Sequence, residues 1–203
     1  SGFTRTGANL VWEAGNLVSL ACAIDDRELL REASGRISEE VRYSVDEGIQ
    51  SDYSFHQHGP QNNIGSYGQS FASQISRYAA LFADTSLAFP SEKIRILSGL
   101  ILEGQQWFVW GRQADFHAMG RRVFRSTGPW TSGWSTGNAD QSAGYVPICD
   151  SMRVADPGHS QAYQDFAARL VGEQSPAETG PLGNRHFWRS DTMVHRSEGY
   201  YGS

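Results

Sequence analysis

The chain has 203 residues, of which 39% are hydrophobic and 19% charged, a composition typical of a globular protein and not of a disordered one. A net charge of -5 argues against a partner bound through a nucleic-acid backbone. The two cysteines, Cys22 and Cys149, are too far apart for the thiolate pairs of a zinc site. No segment reaches the roughly 18 consecutive apolar residues of a membrane helix, and the first residues lack a signal-peptide pattern, so we expect no membrane partner.

The first fifty residues predict two helices. Apolar residues recur at helical spacing over 9–24, which favours a largely buried helix. Asp25 and Asp26 can cap a second helix, which we expect to end near Gly48 with Val41 and Val45 on its apolar face. Asn9 is also a candidate cap of the first helix.

The rest of the chain alternates loops with helices and ends in a predicted hairpin. Residues 49–66 lack an apolar period and predict a long loop, a kind of segment that is often functional. Residues 111–138 predict a second loop, and 172–183 a linker. Helices are predicted to start near Tyr67 and after Pro90, and then over 139–154 and 159–171. Alternating bulky residues after His186 predict a strand or hairpin.

The predicted fold class is mainly α, built of helical hairpins joined by long loops, with the beginning of a C-terminal β region. We place the helical region in residues 1–175 and the linker with the first strands in 176–203.

The loop before the third helix contains the most suggestive side chains, His56, His58 and the nearby Tyr67. A tyrosine at a helix N-terminus lies at the positive end of the helix dipole, which favours the phenolate form, and a phenolate is a usable base. A polar loop without catalytic function is the simpler interpretation of His-x-His taken alone.

A second cluster contains Arg121 and Arg125, which would share one face of a helical turn and could grip an anionic group. A solvated basic turn is the simpler alternative. Trp130 is one of several tryptophans that could stack on sugar rings, although most tryptophans belong to cores.

Five segments in this order resemble polysaccharide lyase family 8, the family of hyaluronate, chondroitin and xanthan lyases. They are TGANLVW at 6–12, DYSFHQHG at 52–59, YG at 67–68, GRRVFR at 120–125 and HFWRSDTMVHR at 186–196. The resemblance implies part of an α/α toroid followed by β-sandwich strands. Family members are several times longer, so we expect this chain to begin partway round the toroid and to stop within the first strands.

The resemblance also implies the residues of the site. Its catalytic Asn, His and Tyr correspond to Asn9, His58 and Tyr67, with the tyrosine nine residues after the histidine. Its two active-site arginines correspond to Arg121 and Arg125. We assign substrate binding to four further residues, Phe3, Trp12, His56 and Trp130.

The implied reaction is β-elimination on a uronate-containing polysaccharide, which needs no metal and no organic cofactor. The expected partner is therefore an acidic polysaccharide, and the resemblance implies a secreted or periplasmic bacterial protein.

Two alternatives remain open on the sequence. An α/α-toroid glycoside hydrolase would need a catalytic carboxylate, for which Asp52, Asp115 and Asp191 are the candidates. A non-catalytic carbohydrate-binding fragment would keep aromatic and arginine contacts without a complete site.

Overall fold

The computed structural model describes residues 5–120 and 143–203, and these are mainly helical. The helices are α1 (Gly7–Ala23), α2 (Arg27–Glu40), α3 (Tyr67–Phe82), α4 (Ser91–Gly99), α5 (Val146–Ala155), α6 (Ser160–Val171) and the single turn α7 (Pro176–Thr179). The strands are β1 (Gly48–Ile49), β2 (Phe55–His56), β3 (Val109–Trp110), β4 (Gln113–Ala114), β5 (Gly183–Phe187), β6 (Thr192–Ser197) and β7 (Tyr200–Gly202). Within these two described ranges, no helix is both long and apolar enough to span a membrane.

Helices α1 and α2 pack against each other and are joined by residues 24–26. Asp26 caps α2 as predicted, because its carboxylate accepts the backbone N–H groups of Glu28 and Leu29 at 3.0 and 2.9 Å.

The predicted end of α2 near Gly48 is wrong, since the helix ends at Glu40. Val41 is fully buried, as expected, but Val45 is 78% exposed. The backbone of Ser44 donates to Ile49 O at 2.8 Å, so pairing of this segment with β1 replaces the last helical turns.

Helix α3 contacts α1, α2, α4 and α5, so it lies among the helices of the fold. Its predicted apolar face is buried and contains Phe71, Ile75, Tyr78 and Phe82. The Tyr78 hydroxyl donates to the carbonyl of Gly15 at 3.3 Å and ties α3 to α1. This packing fixes the start of α3, where the predicted base lies.

Helix α4 starts after Pro90, as predicted, and then changes its winding. It continues as a π-helical turn, Leu100–Gly104, and a 3-10 turn, Gln105–Phe108, before β3 and β4 form a short hairpin. Phe108 at the end of this segment is buried. Its ring centroid lies 4.7 Å from that of Phe187, so this end of the helical region packs against the C-terminal strands.

The C-terminal strands confirm the predicted hairpin and extend it. Strands β5, β6 and β7 form an antiparallel sheet in that order, with Phe187 paired to Thr192 across the β5–β6 turn. Phe187 and Val194 are buried, so one face of the sheet covers the helical region. The predicted linker contains α7, which forms because Ser175 and Glu178 make a capping box.

Candidate active site

His58 and Tyr67, two of the predicted catalytic residues, lie side by side. Their ring centroids are 4.8 Å apart at an interplanar angle of 84°, an edge-on contact. His58 is exposed and Tyr67 is partly exposed, so both rings can be reached from solvent.

Tyr67 is the first residue of α3, and Gly68, the next residue, allows this end of the helix to pack closely on β2. A Cβ on Gly68 would lie 3.1 Å from Cβ and Cγ of Phe55, closer than most side chains tolerate. The first turn of α3 therefore packs directly on β2, at Phe55. His58 follows Phe55 by three residues. A glycine after the tyrosine permits this approach.

The backbone of His58 is in the left-handed region, with φ of 61°. This conformation is unfavourable for a residue with a side chain and persists only where the surroundings hold it. Glu47 holds it here, because its Oε1 accepts the His58 backbone N–H at 2.8 Å. The preceding carbonyl, of Gln57, accepts the Asn63 side-chain amide at 2.7 Å. Both sides of the His58 peptide are thus fixed.

The first turn of α1, which contains Asn9, is attached to the same loop. Gln57 Oε1 accepts the backbone N–H of Ala8 at 3.3 Å, and its amide donates to Glu47. Gly7 has φ of 59°, and a Cβ there would come within 2.5 Å of Gln57 Oε1. Both the positive φ and the close approach of Gln57 favour glycine at this position, two residues before Asn9.

The N-cap of α1 is Thr6, so the expectation that Asn9 caps this helix is wrong. Asn9 lies in the first turn, partly exposed, and its amide is not committed to a cap. Trp12, three residues later and on the same side of the helix, has its ring centroid 6.0 Å from that of Tyr67. Asn9, Trp12, His58 and Tyr67 are thereby brought to one region of the molecule.

The carboxylates of Glu40 and Glu47 accept hydrogen bonds that hold this region in place. Glu40 accepts the backbone N–H of Gly7 at 2.5 Å and is 8% exposed. Burial raises the pKa of Glu40, while the Gly7 bond and the charges of Arg42 and Lys93 act against that rise. Glu47 accepts a third bond, from the Thr6 hydroxyl at 3.0 Å.

His56 is not placed to bind substrate, and this assignment is corrected. Its side chain is 2% exposed, and Nε2 lies 3.0 Å from the hydroxyl of Ser190 in the turn between β5 and β6. Burial, followed by the positive charge of Arg189, lowers the pKa of His56, and the Asp52 carboxylate opposes this. His56 is an interior residue because the turn that contains Ser190 covers it, on the face of β2 opposite to Phe55.

Of the three carboxylates considered for a hydrolase, two are occupied by structural bonds. Asp52 is buried and accepts from Ser54 and from the backbone N–H of Arg189. Asp115 is buried and accepts the hydroxyl of Tyr201 at 2.5 Å. Asp191 alone is exposed, in the β5–β6 turn. No pair of free facing carboxylates is formed by these three.

Four predicted residues lie outside the described residues: Phe3, Arg121, Arg125 and Trp130. Their positions relative to His58 and Tyr67 remain predictions. Among residues 5–120 and 143–203, no three His, Cys, Asp or Glu side chains are grouped to hold a metal ion.

Sequence reasoning missed the residues that hold the site. Gln57 lies inside the DYSFHQHG motif between two histidines, and Glu47 lies outside all five motifs. Arg189 and Ser190 lie inside the last motif, whose role the sequence did not reveal. A polar residue flanking a functional histidine is the only local signal that could have indicated Gln57.

Comparison with known proteins agrees with the motifs. A family model described as polysaccharide lyase family 8, N-terminal alpha-helical domain, matches residues 1–147. The chain is 34% identical over 197 residues to the chondroitinase-AC of Pedobacter heparinus, a match that covers 97% of this chain and 27% of that protein.

Solved structures show the same fold. A structure of chondroitinase AC lyase matches with a TM-score of 0.86 and 27% identity, over 97% of this chain and 28% of that one. The chondroitin AC lyase of Streptomyces coelicolor A3, solved with chondroitin sulphate, matches with a TM-score of 0.75, over 96% of this chain and 30% of that one. At 19% identity the second match supports the fold alone.

The chain therefore spans little more than a quarter of the length of these relatives. The predicted fold class, part of an α/α toroid followed by the first strands of a β region, is confirmed.

Proposed function

Since the chain belongs to polysaccharide lyase family 8, we propose that it forms part of the catalytic domain of a lyase that cleaves a uronate-containing polysaccharide by β-elimination. The observation that carries the proposal is the contact between His58 and Tyr67, with Trp12 beside the tyrosine. Two side chains able to hold or move protons thus meet an aromatic surface on which a sugar ring can stack.

The first step of this reaction removes the C5 proton, next to the uronate carboxylate. That proton is only weakly acidic, so the negative charge that develops on the carboxylate must be stabilised. Asn9 donates its side-chain amide to the carboxylate oxygens, and His58 donates a ring N–H. The first turn of α1, with Asn9, and the loop with His58 are joined by the bond from the Ala8 N–H to Gln57, which fixes the two donors relative to each other.

Tyr67 carries out the proton transfers. Its phenolate takes the C5 proton, the bond between C4 and the glycosidic oxygen breaks, and a C4=C5 double bond forms. The phenol then gives its proton to the departing oxygen, so the base is restored when the product leaves. Arg121 and Arg125 complete the proposal by stabilising the phenolate and orienting its neighbours.

For the polymer we propose chondroitin sulfate, supported by the 34% identity to a chondroitinase-AC. Hyaluronan and xanthan are the alternatives within the same chemistry. We propose that the protein acts outside the cytoplasm, where polysaccharides of this size occur. Its recovery in the medium or in a periplasmic fraction tests this location.

The experiment is incubation of the chain with chondroitin sulfate, hyaluronan and xanthan in parallel. A lyase produces the ultraviolet absorbance of an unsaturated uronate together with new reducing ends. New reducing ends without that absorbance would instead indicate a hydrolase, and retention on the polymer without either product would indicate a binding fragment. The Tyr67→Phe variant is the control for contaminating lyase.

A further inference from the structure

The last of the five motifs, residues 186–196, contains a turn that contacts the loop carrying His58. This turn, residues 188–191, joins β5 to β6, and its hydrogen bonds to the loop span 134 residues or more in sequence. We call it the β5–β6 turn.

Arg189 bonds to the loop through three of its nitrogen atoms. Its backbone N–H donates to Asp52 Oδ2 at 2.5 Å, its Nε donates to Gln50 Oε1 at 3.2 Å, and its Nη2 donates to the carbonyl of Val45 at 2.9 Å. The Arg189 side chain therefore ties residues on both sides of β1, Val45 and Gln50, to the β5–β6 turn.

Ser190 extends this junction through a chain of hydrogen bonds. Its hydroxyl donates to Ser54 Oγ at 2.8 Å, and the Ser54 hydroxyl donates to Asp52 Oδ1 at 2.7 Å. Each hydroxyl has one proton, so the Ser190 oxygen accepts its bond from Nε2 of His56. The bonds assign the Nε2–H tautomer to His56 and end on a carboxylate.

Three of the four residues in this series of hydrogen bonds are buried, and Ser190 is partly exposed, so water competes little for the bonds. Ser54 is fully buried, and His56 and Asp52 are 2% and 6% exposed. Removing one partner would leave a buried donor unsatisfied, which costs about 1–3 kcal/mol. The loop is thus bound to the turn by bonds that are costly to break.

Strand β2 transmits this constraint to the site. Ser54 and His56 point to the β5–β6 turn, whereas Phe55 between them packs on α3, with its ring centroid 5.0 Å from that of Phe71. Side chains of a strand alternate, so β2 is held between the turn on one face and α3 on the other. His58 follows β2 by two residues.

We propose that the β5–β6 turn is a positioning element for the His58–Tyr67 pair, with Arg189 and Ser190 as its positioning residues. The turn holds β2 against α3, and this fixes where the His58 ring meets the Tyr67 ring. Its importance for turnover rests on the function proposed above, whereas the ring geometry that it controls can be measured without turnover.

The test compares Ser190→Ala and Arg189→Ala with Ser190→Thr, which keeps the hydroxyl. Two control variants alter side chains of the same types elsewhere. Ser34→Ala removes a buried hydroxyl that bonds within α2, and Arg153→Ala removes an exposed arginine of α5.

The first readout is the NMR signal of the His58 imidazole protons, which the ring current of Tyr67 shifts at a centroid distance of 4.8 Å. Ser190→Ala and Arg189→Ala move this signal toward that of free histidine, while Ser190→Thr and both controls leave it in place. If Ser190→Ala fails to fold, Arg189→Ala decides, because its side chain is only partly buried.

The second readout is the division of the effect between kcat and KM on chondroitin sulfate. Misplacement of a reacting group lowers kcat on the order of 10- to 100-fold with little change in KM, and Ser190→Thr restores it. An unchanged His58 signal in both alanine variants would overturn the proposal, even if their melting temperatures fell. Absence of turnover by the unaltered chain would count against the proposed function alone, since the NMR readout still decides this one.

Discussion

His56 and His58 lie two residues apart in one loop, and their surroundings are opposite. His56 is 2% exposed and bonded to a serine of the β5–β6 turn, at the end of a chain of hydroxyls that leads to a carboxylate. His58 is exposed, has a left-handed backbone and rests against the ring of Tyr67. One histidine faces the interior and the other faces the site.

The difference shows that this histidine-rich loop joins two parts of the fold as well as carrying one of the proposed catalytic residues. The inner face of the loop, which contains Ser54 and His56, is stabilised by buried polar bonds. The outer face carries His58, which remains accessible. Substitutions on the inner face should therefore act mainly through stability and position, and those on the outer face mainly through the chemical step.

The largest expected effect is at Tyr67. Tyr67→Phe keeps the ring and removes the proton-transfer group, so it lowers turnover on the order of 10²- to 10⁴-fold while polymer binding and melting temperature stay near the original. Initial rates and a melting curve measure this. The matched control is Tyr78→Phe on the same helix, which loses only its bond to Gly15 and keeps its turnover. Full turnover by Tyr67→Phe would remove this residue from the mechanism.

Asn9→Ala tests the proposed donor in the first turn of α1. Loss of one donor to a developing anion costs about 3–4 kcal/mol of transition-state stabilisation, or on the order of 10²- to 10³-fold in rate. Because Thr6 and not Asn9 is the cap of α1, the melting temperature stays nearly constant. Asn16→Ala, on an exposed position of the same helix, is the control. A variant that loses stability and rate together would point to a structural role instead.

Glu47→Ala removes the acceptor that joins three segments. The carboxylate bonds Thr6, Gln57 and the backbone of His58. We expect a loss of about 1–3 kcal/mol in the free energy of unfolding. Turnover falls on the order of tenfold, because His58 and the first turn of α1 lose their common anchor. Glu47→Gln keeps one acceptor oxygen, so its free energy of unfolding should lie between those of the original chain and Glu47→Ala. If denaturant unfolding shows Glu47→Gln to be less stable than Glu47→Ala, the role of these bonds is contradicted.

The smallest expected effect is a pH dependence on the inner face. The pKa of His56 is lowered in the folded protein, so the unfolded chain binds more protons than the folded one below its ordinary value of 6.5. The stability contributed by neutral His56 is full above pH 6.5 and is lost as the pH falls through 6.5 toward the folded pKa. Arg189 favours this loss and Asp52 resists it.

The measurement is the melting temperature between pH 7 and pH 5 for the original chain and for His56→Gln. The variant lacks the titrating ring, so its melting temperature falls less on acidification. Equal falls in both proteins would show that His56 does not titrate with folding.

Much of the fold followed from local patterns. The spacing of Phe71, Ile75 and Phe82 predicted α3, which the structure begins at the predicted Tyr67. The same reasoning failed at the end of α2, because Val41 and Val45 continue a helical spacing that pairing with β1 interrupts. A local period cannot show that a backbone segment has a better partner elsewhere.

The site was predictable only in part, for a related reason. The family resemblance predicted Asn9, His58 and Tyr67 as site residues, and the structure brings them into one region. The residues that hold them were not predictable, since Glu47 bonds across 41 residues to Thr6 and Ser190 across 134 residues to His56. Spacing along the chain contains no information on contacts of that range.

The long range of the bonds from the β5–β6 turn has a consequence for how the molecule is made. Arg189 reaches Val45 across 144 residues, whereas α1 packs on α2 across a short turn. Contacts of high sequence separation form late in folding, because the chain entropy lost in closing the loop must be overcome first. On the ribosome, helices near the N-terminus emerge and pair before the turn exists. During synthesis the histidine loop is therefore joined to the β5–β6 turn only after Arg189 and Ser190 have been made, when α1 and α2 can already have packed together.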